Sequence, residues 1–247
     1  MNLNKTIARK VLRIVDKGLV KGLGDPEPGK MCVEAAVNYA MGFPHGDQPK
    51  CVGSEVRVFK IALNDSWWSS DKARTKGMRK LAIAQLGSDT LDQSVFAEKV
   101  GYRCMTTVLP VIVENALKED KNNKFVKKYV NQEELAIVIG KLKKAKDFED
   151  AKGLTQKVWD IYSAYAYAYA YASAYAYASA STSASAYAST SAYASAYAYA
   201  SASTSASAYA KKNPKFWDKV LNLIAKAGLD TLIEMKSPGT KWLDLCN

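Results

Sequence analysis

Cys32 is the residue of this 247-residue chain whose type and position come closest to those of a catalytic nucleophile. It lies near the start of a helix that the sequence predicts over 30–41, where the helix dipole would lower the pKa of its thiol. His45 is the only histidine, and with Asp47 to orient it the three side chains would form a thiol hydrolase arrangement. A helix over 30–41 would be about 18 Å long, which puts Cys32 and His45 toward opposite ends. The alternative is a buried structural cysteine and a loop-capping histidine, so Cys32, His45 and Asp47 are weak catalytic candidates.

Metal and cofactor sites have little support in the sequence. Cys32, Cys51, His45 and Asp47 could form a mixed metal site, but one histidine and no Cys-x-x-Cys pair depart from the usual zinc patterns. No Walker loop, GxGxxG or HExxH motif is present. The four cysteines are far apart in the chain, which fits reduced thiols in a cytosol. The sequence therefore predicts no metal, no cofactor and a cytoplasmic location.

Glu34 is unusual because it stands inside an otherwise apolar helical segment. A buried carboxylate needs a partner. Arg57 and Arg74 are the expected partners, and a structural role for Glu34 ranks above a catalytic one.

Basic side chains form rows at helical spacing. The chain has 35 Lys and Arg against 24 Asp and Glu, a net charge of +11 that suggests a polyanionic partner. Such rows are what binding to a phosphate backbone uses. The candidate residues for nucleic-acid binding are Lys72, Lys76, Arg79, Lys80, Lys124, Lys127 and Lys128. Further rows are Lys5, Arg9, Arg13 and Lys17, and Lys141, Lys143, Lys144 and Lys146. No zinc finger, RNA-binding aromatic motif or clear helix-turn-helix accompanies them, so solvated helix faces are the alternative.

The chain is organised around a tract over 163–210, called the tyrosine tract below. For 48 residues every odd position is Tyr or Ser and every even position is Ala or Thr. It contains no charge, Gly, Pro, Asn or Asp, and 170–188 recurs letter for letter as 192–210. The predicted self-association residues are Tyr165, Tyr167, Tyr169, Tyr171, Tyr175, Tyr177, Tyr187, Tyr193, Tyr197, Tyr199 and Tyr209.

Three structures compete for the tyrosine tract. A long helix or helical hairpin fits its alanine content and its helical neighbours. A β-solenoid or silk-like strand stack fits the strict alternation, but no turn-forming residue is present to fold it. Low complexity of this kind also fits disorder combined with self-association.

Helical periodicity covers the rest of the chain, so a mainly α fold is expected. A strand over 56–63 competes with a helix over 52–63 but leaves Val52 unused. Ser69 or Ser70 is expected to cap the next helix, and a helix is expected to start at Asn213-Pro214 and to break at Gly228. The remaining predicted helices cover 4–19, 30–41, 70–86, 92–100, 105–118, 133–145, 155 into the tract, and 229–235.

Several short segments of the sequence together carry a resemblance to known proteins. They are Met31 to Val37, Pro44 to Asp47, Phe59 to Asp65, Trp68 to Ser70, Ala82 to Gly87 and Ser237 to Gly239. Together they resemble a group of uncharacterised proteins from bacteria and their phages, over roughly residues 30–105 and 215–247. Members of that group carry this body and an Ala-rich, Tyr-bearing tract of variable length, often spaced by threes rather than twos. The resemblance implies a phage or bacterial setting and no particular activity.

These observations predict a helical globular domain over 1–162, the tyrosine tract over 163–210, and a C-terminal helical segment over 211–247 that packs back on the body. The expected function is non-enzymatic: a phage or bacterial structural or interaction protein whose tract mediates self-association or partner display. A basic nucleic-acid-binding protein is the first alternative, and a thiol enzyme using Cys32 is the second. The expected partner is another copy of the chain, with nucleic acid or another polyanion as a further possibility. No segment has the apolar length of a membrane span, so no membrane partner is expected.

Overall fold

A computed structural model describes residues 3–119, 131–169 and 213–247. Within these ranges the chain forms nine α-helices and no β-strand, which confirms the mainly α prediction. The helices are α1 (Lys5–Val15), α2 (Val33–Ala40), α3 (Ser54–Asn64), α4 (Asp71–Ala84), α5 (Gln93–Arg103), α6 (Leu109–Glu119), α7 (Gln132–Leu142), α8 (Phe148–Tyr169) and α9 (Pro214–Glu234). Short 3₁₀ segments cover Ser88–Thr90 and Pro238–Cys246. No helix in the described ranges is long and apolar enough to cross a membrane.

Side-chain caps explain where several helices begin. The Ser70 hydroxyl accepts a hydrogen bond from the Ala73 N–H, which confirms one of the two serines expected to cap α4. Asn213 caps α9 in the same way, and Pro214 occupies its first turn, where a missing N–H costs nothing. The segment from Ser54 is helical, so the strand alternative for 56–63 is wrong.

The described chain divides into two compact units. The first unit comprises Met1–Ala97 and Ala210–Asn247, and the second comprises Glu98–Tyr209. In the first unit, α4 packs against α1, α9 and the C-terminal 3₁₀ segment. Its core is built from buried side chains of all of these elements and of α2 and α3, among them Val15, Val37, Phe59, Met78 and Leu221.

The predicted break at Gly228 is wrong, because α9 continues through this glycine to Glu234. A Cβ atom at Gly228 would stand 2.3 Å from Cε1 of Phe59, so the missing side chain lets α9 approach α3. The glycine therefore serves helix packing, and the buried contact outweighs its low helix propensity.

The segment between α5 and α6 stays helical as a π-helical stretch over Cys104–Val108. Pro110 is the second residue after this stretch and has no N–H to donate to the fourth residue before it. A local change of hydrogen-bond register absorbs this defect without ending the helix. The hydroxyls of Thr106 and Thr107 donate to the carbonyls of Tyr102 and Arg103 in the same region.

The second unit is built from α6, α7 and α8, with a core that includes Leu109, Leu135, Ile139 and Val158. Helix α8 runs through the first seven residues of the tyrosine tract, 163–169, so the backbone is helical there. The remaining tract residues, 170–210, lie outside the described part of the chain.

Candidate functional site

Cys32 caps the N-terminus of α2, and its Sγ accepts a hydrogen bond from the Ala35 N–H at 3.4 Å. The side chain is buried, with 4% of the residue's surface exposed. Burial raises the pKa of the Cys32 thiol to about 11, although the Ala35 hydrogen bond opposes this. The predicted lowering of this pKa is wrong, because desolvation of the thiolate outweighs the helix N-terminus. Cys32 is therefore a protonated thiol rather than an activated nucleophile.

His45 and Asp47 do not complete a catalytic arrangement around Cys32. The His45 ring donates from Nε2 to the Gly24 carbonyl at 2.9 Å, so it ties its loop to the loop before α2. Nδ1 of His45, the nitrogen that Asp47 would have to orient, has no hydrogen-bond partner in the described structure. The geometry is that of a loop-capping histidine. Over residues 3–119, 131–169 and 213–247, no group of three or more His, Cys, Asp or Glu side chains is placed to hold a metal ion.

The chemically unusual feature of the first unit is a fully buried ion pair between α2 and α3. Nζ of Lys60 lies 3.0 Å from Oε1 of Glu34, and both side chains are 0% exposed. The expected partners were wrong: Arg57 acts on Glu34 only through its more distant charge. Arg74 instead pairs with Asp71 and donates to the Asn64 carbonyl at 2.8 Å. Lys60 is the partner that sequence reasoning missed.

The sequence does contain a signal for Lys60. It stands four residues after Val56 and three before Leu63, and both of these side chains are buried on α3. A lysine at these spacings on a buried helix face must find a counter-charge in the core. Glu34 on the neighbouring helix is that counter-charge.

Burial controls the protonation of this pair. Desolvation raises the pKa of Glu34 and lowers the pKa of Lys60, while their mutual attraction opposes both shifts. Cys32 and Cys51 are close enough to affect the pKa of Lys60, and burial raises the pKa of the Cys51 thiol to about 11. Apart from their mutual contact, neither Glu34 nor Lys60 has a hydrogen-bond partner in the described structure. With no solvent exposure on either group, the pair acts on folding rather than on a substrate.

The basic candidates on α4 divide into two kinds. Lys72, Lys76 and Lys80 are exposed and form no ion pair with a described residue. Arg79 is engaged: its Nε donates to Oδ1 of Asp16 at 2.7 Å and its Nη2 to Oδ2 at 3.1 Å. Its Nη1 also donates to the Cys246 carbonyl at 2.8 Å. Arg79 thus links α4 to α1 and to the C-terminal segment.

The other predicted site residues are mostly outside the described ranges. Lys124, Lys127 and Lys128 lie there, as do the tract tyrosines from Tyr171 onward. Tyr165, Tyr167 and Tyr169 belong to the last turns of α8, where the backbone is helical.

No protein-family model, curated protein or solved structure matches this chain. The resemblance to the bacterial and phage group therefore stays a prediction.

Proposed function

We propose that this is a non-enzymatic structural or interaction protein of a bacterium or its phage, and that the tyrosine tract mediates its self-association or displays it to a partner. The observation that carries this proposal is the way in which the tract is attached. Helix α8 buries Ala151, Thr155 and Val158 in its unit before it continues into the tract at 163. Helix α9 begins at Pro214, four residues after the tract ends, and its Trp217 is buried in the other unit.

The chemistry of the tract suits association. It has 11 tyrosines and no charge in 48 residues, so copies of it do not repel one another electrostatically. Tyrosine supplies a large apolar ring with a polar tip and is enriched at protein interfaces. The 35 Lys and Arg and 24 Asp and Glu all lie in the flanking segments, where they favour solubility.

The proposal places the protein in the cytoplasm. All four cysteines are free thiols, and they are buried at four separate positions in the fold. Free cysteines are typical of a reducing compartment.

Light scattering coupled to size-exclusion chromatography tests the association. The wild-type chain should elute above its monomer mass of 27.0 kDa, with a mass that rises with concentration. A variant with all 11 tract tyrosines changed to serine keeps the length and the alternation, and it should run as a monomer. The matched control is Tyr39→Ser, because Tyr39 is 45% exposed on the body, and it should leave the mass unchanged. Equal masses for the wild type and the tract variant would refute self-association through the tract.

A further inference from the structure

A basic surface is formed where α1 and α4 pack side by side. Asp16 at the end of α1 meets Arg79, and three residues later the Leu19 N–H donates to the Thr75 hydroxyl at 2.9 Å. Asp16 caps α1 and Leu19 lies in the turn that follows, so the end of α1 and this turn lie along α4 from Arg79 to Thr75. Two basic rows flank these contacts, and together they define the α1–α4 basic face: Arg9, Arg13 and Lys17 from α1 and its C-terminal end, and Lys72, Lys76 and Lys80 from α4.

All six side chains are exposed, and none forms an ion pair with a residue in the described ranges. Within each row the residues are four apart, a rise of about 6 Å per step along the helix. Arg13 and Lys76 each precede a member of the Asp16–Arg79 bridge by three residues in the sequence. The bridge ties the C-terminal end of α1 to α4, and these two helices carry the two rows.

Three acidic side chains on or beside α1 and α4 are paired with basic residues that do not belong to the face. Asp16 is bound to Arg79, Asp71 to Arg74, and Asp244 to Lys5 at 2.6 Å. Helix α1 itself contains no acidic residue. The first unit has 22 Lys and Arg against 14 Asp and Glu in all, so its long-range field adds to that of the face.

The face lacks the apolar side chains that other polyanionic partners require. The large apolar residues exposed in the described ranges are Leu23, Tyr39, Phe43, Val58, Val95, Ile137 and Ile233, and none lies on α1 or α4. A protein partner would need an apolar centre in the interface. Insertion into a membrane surface would need an exposed apolar helix face, and α1 has Val11, Leu12 and Val15 buried in the core. A phosphate backbone needs only ordered positive charge.

We propose that the α1–α4 basic face binds the phosphate backbone of nucleic acid without reading its base sequence. The basic side chains supply positioning contacts to phosphates, which carry no sequence information. This inference is independent of the tyrosine tract, since all six residues lie in the first unit.

Fluorescence anisotropy with a labelled DNA duplex of about 20 base pairs, and with one strand of it alone, tests the proposal. If about five of the six side chains contact phosphates, the slope of log K against log salt on the duplex is about −4.5. Affinity then falls about 500-fold between about 50 and 200 mM salt. The double variant Arg13→Glu/Lys76→Glu should bind about tenfold more weakly or worse at the lower salt, with a slope near about −2.7.

The matched control is Lys152→Glu/Lys157→Glu, which makes the same change of net charge at two exposed lysines of the second unit that belong to none of the predicted basic rows. It should bind like the wild type, and circular dichroism should show that both double variants are folded. The variant with 11 tyrosines changed to serine should also bind like the wild type, so the failure of one proposal does not affect the other.

Three results would overturn the proposal: no binding of either DNA at the lower salt, equal loss in the two charge-reversal variants, or equal competition by poly-glutamate and by DNA. Binding to vesicles rich in phosphatidylserine but not to DNA would also overturn it, in favour of a membrane surface.

Discussion

Removing either partner of the buried Glu34–Lys60 pair should make the stability of the first unit depend on pH. The direction of this dependence should be opposite for the two substitutions. Lys60→Met keeps an unbranched side chain of similar length and leaves Glu34 alone in the core. Glu34→Leu does the reverse and leaves Lys60 alone. The double variant replaces the pair with apolar side chains.

The cost of Lys60→Met follows from the proton that Glu34 must then bind. A carboxyl group with an unfolded-state pKa of about 4.3 needs about 3.7 kcal/mol to stay protonated at pH 7 and about 1 kcal/mol at pH 5. Because burial raises the pKa of Glu34, the folded variant binds more protons than the unfolded chain in this range, by at most one. Its stability therefore falls as pH rises, and lowering the pH from 7 to 5 should restore up to about 2.7 kcal/mol.

The cost of Glu34→Leu changes with pH in the opposite direction, since it falls as pH rises. Burial lowers the pKa of Lys60, so the folded variant binds fewer protons than the unfolded chain, by at most one. An amine with an unfolded-state pKa of about 10.4 needs about 4.6 kcal/mol to stay neutral at pH 7 and about 1.9 kcal/mol at pH 9. Stability should therefore rise by up to about 2.7 kcal/mol between these two pH values.

The wild type and the double variant should both lack these pH dependences. In the wild type the pair holds one proton whether it is ionic or neutral, which equals the number held by the two groups in the unfolded chain at pH 7. The apolar double variant should be as stable as the wild type or more stable by about 1–4 kcal/mol, since replacing a whole buried pair removes its desolvation cost.

Urea unfolding of the full chain, followed by tryptophan fluorescence in a Trp159→Phe background, measures these changes. The other four tryptophans, Trp67, Trp68, Trp217 and Trp242, all lie in the first unit. The matched control is Lys226→Met, which removes an exposed ion pair with Asp230 and should change stability by less than about 1 kcal/mol. Single variants within about 1 kcal/mol of the wild type at pH 7, or pH slopes of the same sign, would refute the assignment of Glu34 and Lys60 as a mutually dependent buried pair.

Three further predictions concern packing, capping and the thiols. Gly228→Ala should destabilise the first unit by about 1–3 kcal/mol in urea unfolding, because the new Cβ atom overlaps Phe59. Gly140→Ala has no atom within 4 Å of its new Cβ and should be neutral or stabilising by up to about 1 kcal/mol, so equal effects of the two changes would contradict the packing role. Ser70→Ala should cost about 1 kcal/mol through loss of the α4 cap, while Ser70→Asp should retain most of the stability; equal losses would show that the cap contributes little. Iodoacetamide should label Cys32 far more slowly in the native chain than in urea, as read by mass spectrometry, since its thiol has a pKa of about 11 and is buried. Fast native labelling at pH 6 would instead support the thiol-enzyme hypothesis.

Local signals in the sequence located most of the helices. Ser70 and Asn213 are side-chain caps, and caps act within one turn of the residue itself, so a single sequence contains the whole interaction. The periodicity of Val56, Phe59 and Leu63 likewise identified the buried face of α3.

The predictions from sequence were wrong where residues far away in the chain determined the local structure or the pKa. Gly228 resembles a helix stop, but Phe59 requires a residue without a side chain at that point of α9. The sequence suggests an arginine as the partner of Glu34, whereas helix packing places Lys60 beside its carboxylate. The thiol pKa of Cys32 was assigned from the local dipole alone, and burial by the rest of the first unit reversed the sign.

The backbone at the start of the tyrosine tract is also determined by residues outside it. Alternation with a period of two is typical of a strand, yet residues 163–169 continue α8. By that point α8 has already been nucleated, with Ala151, Thr155 and Val158 packed in the core of the second unit. Extending an existing helix adds one hydrogen bond for each residue fixed, whereas a strand would need a new partner. Alanine at 164, 166 and 168 and the absence of Gly and Pro favour this continuation over 163–169. The preceding helix, rather than the alternation, therefore decides the backbone at the point where the tract begins.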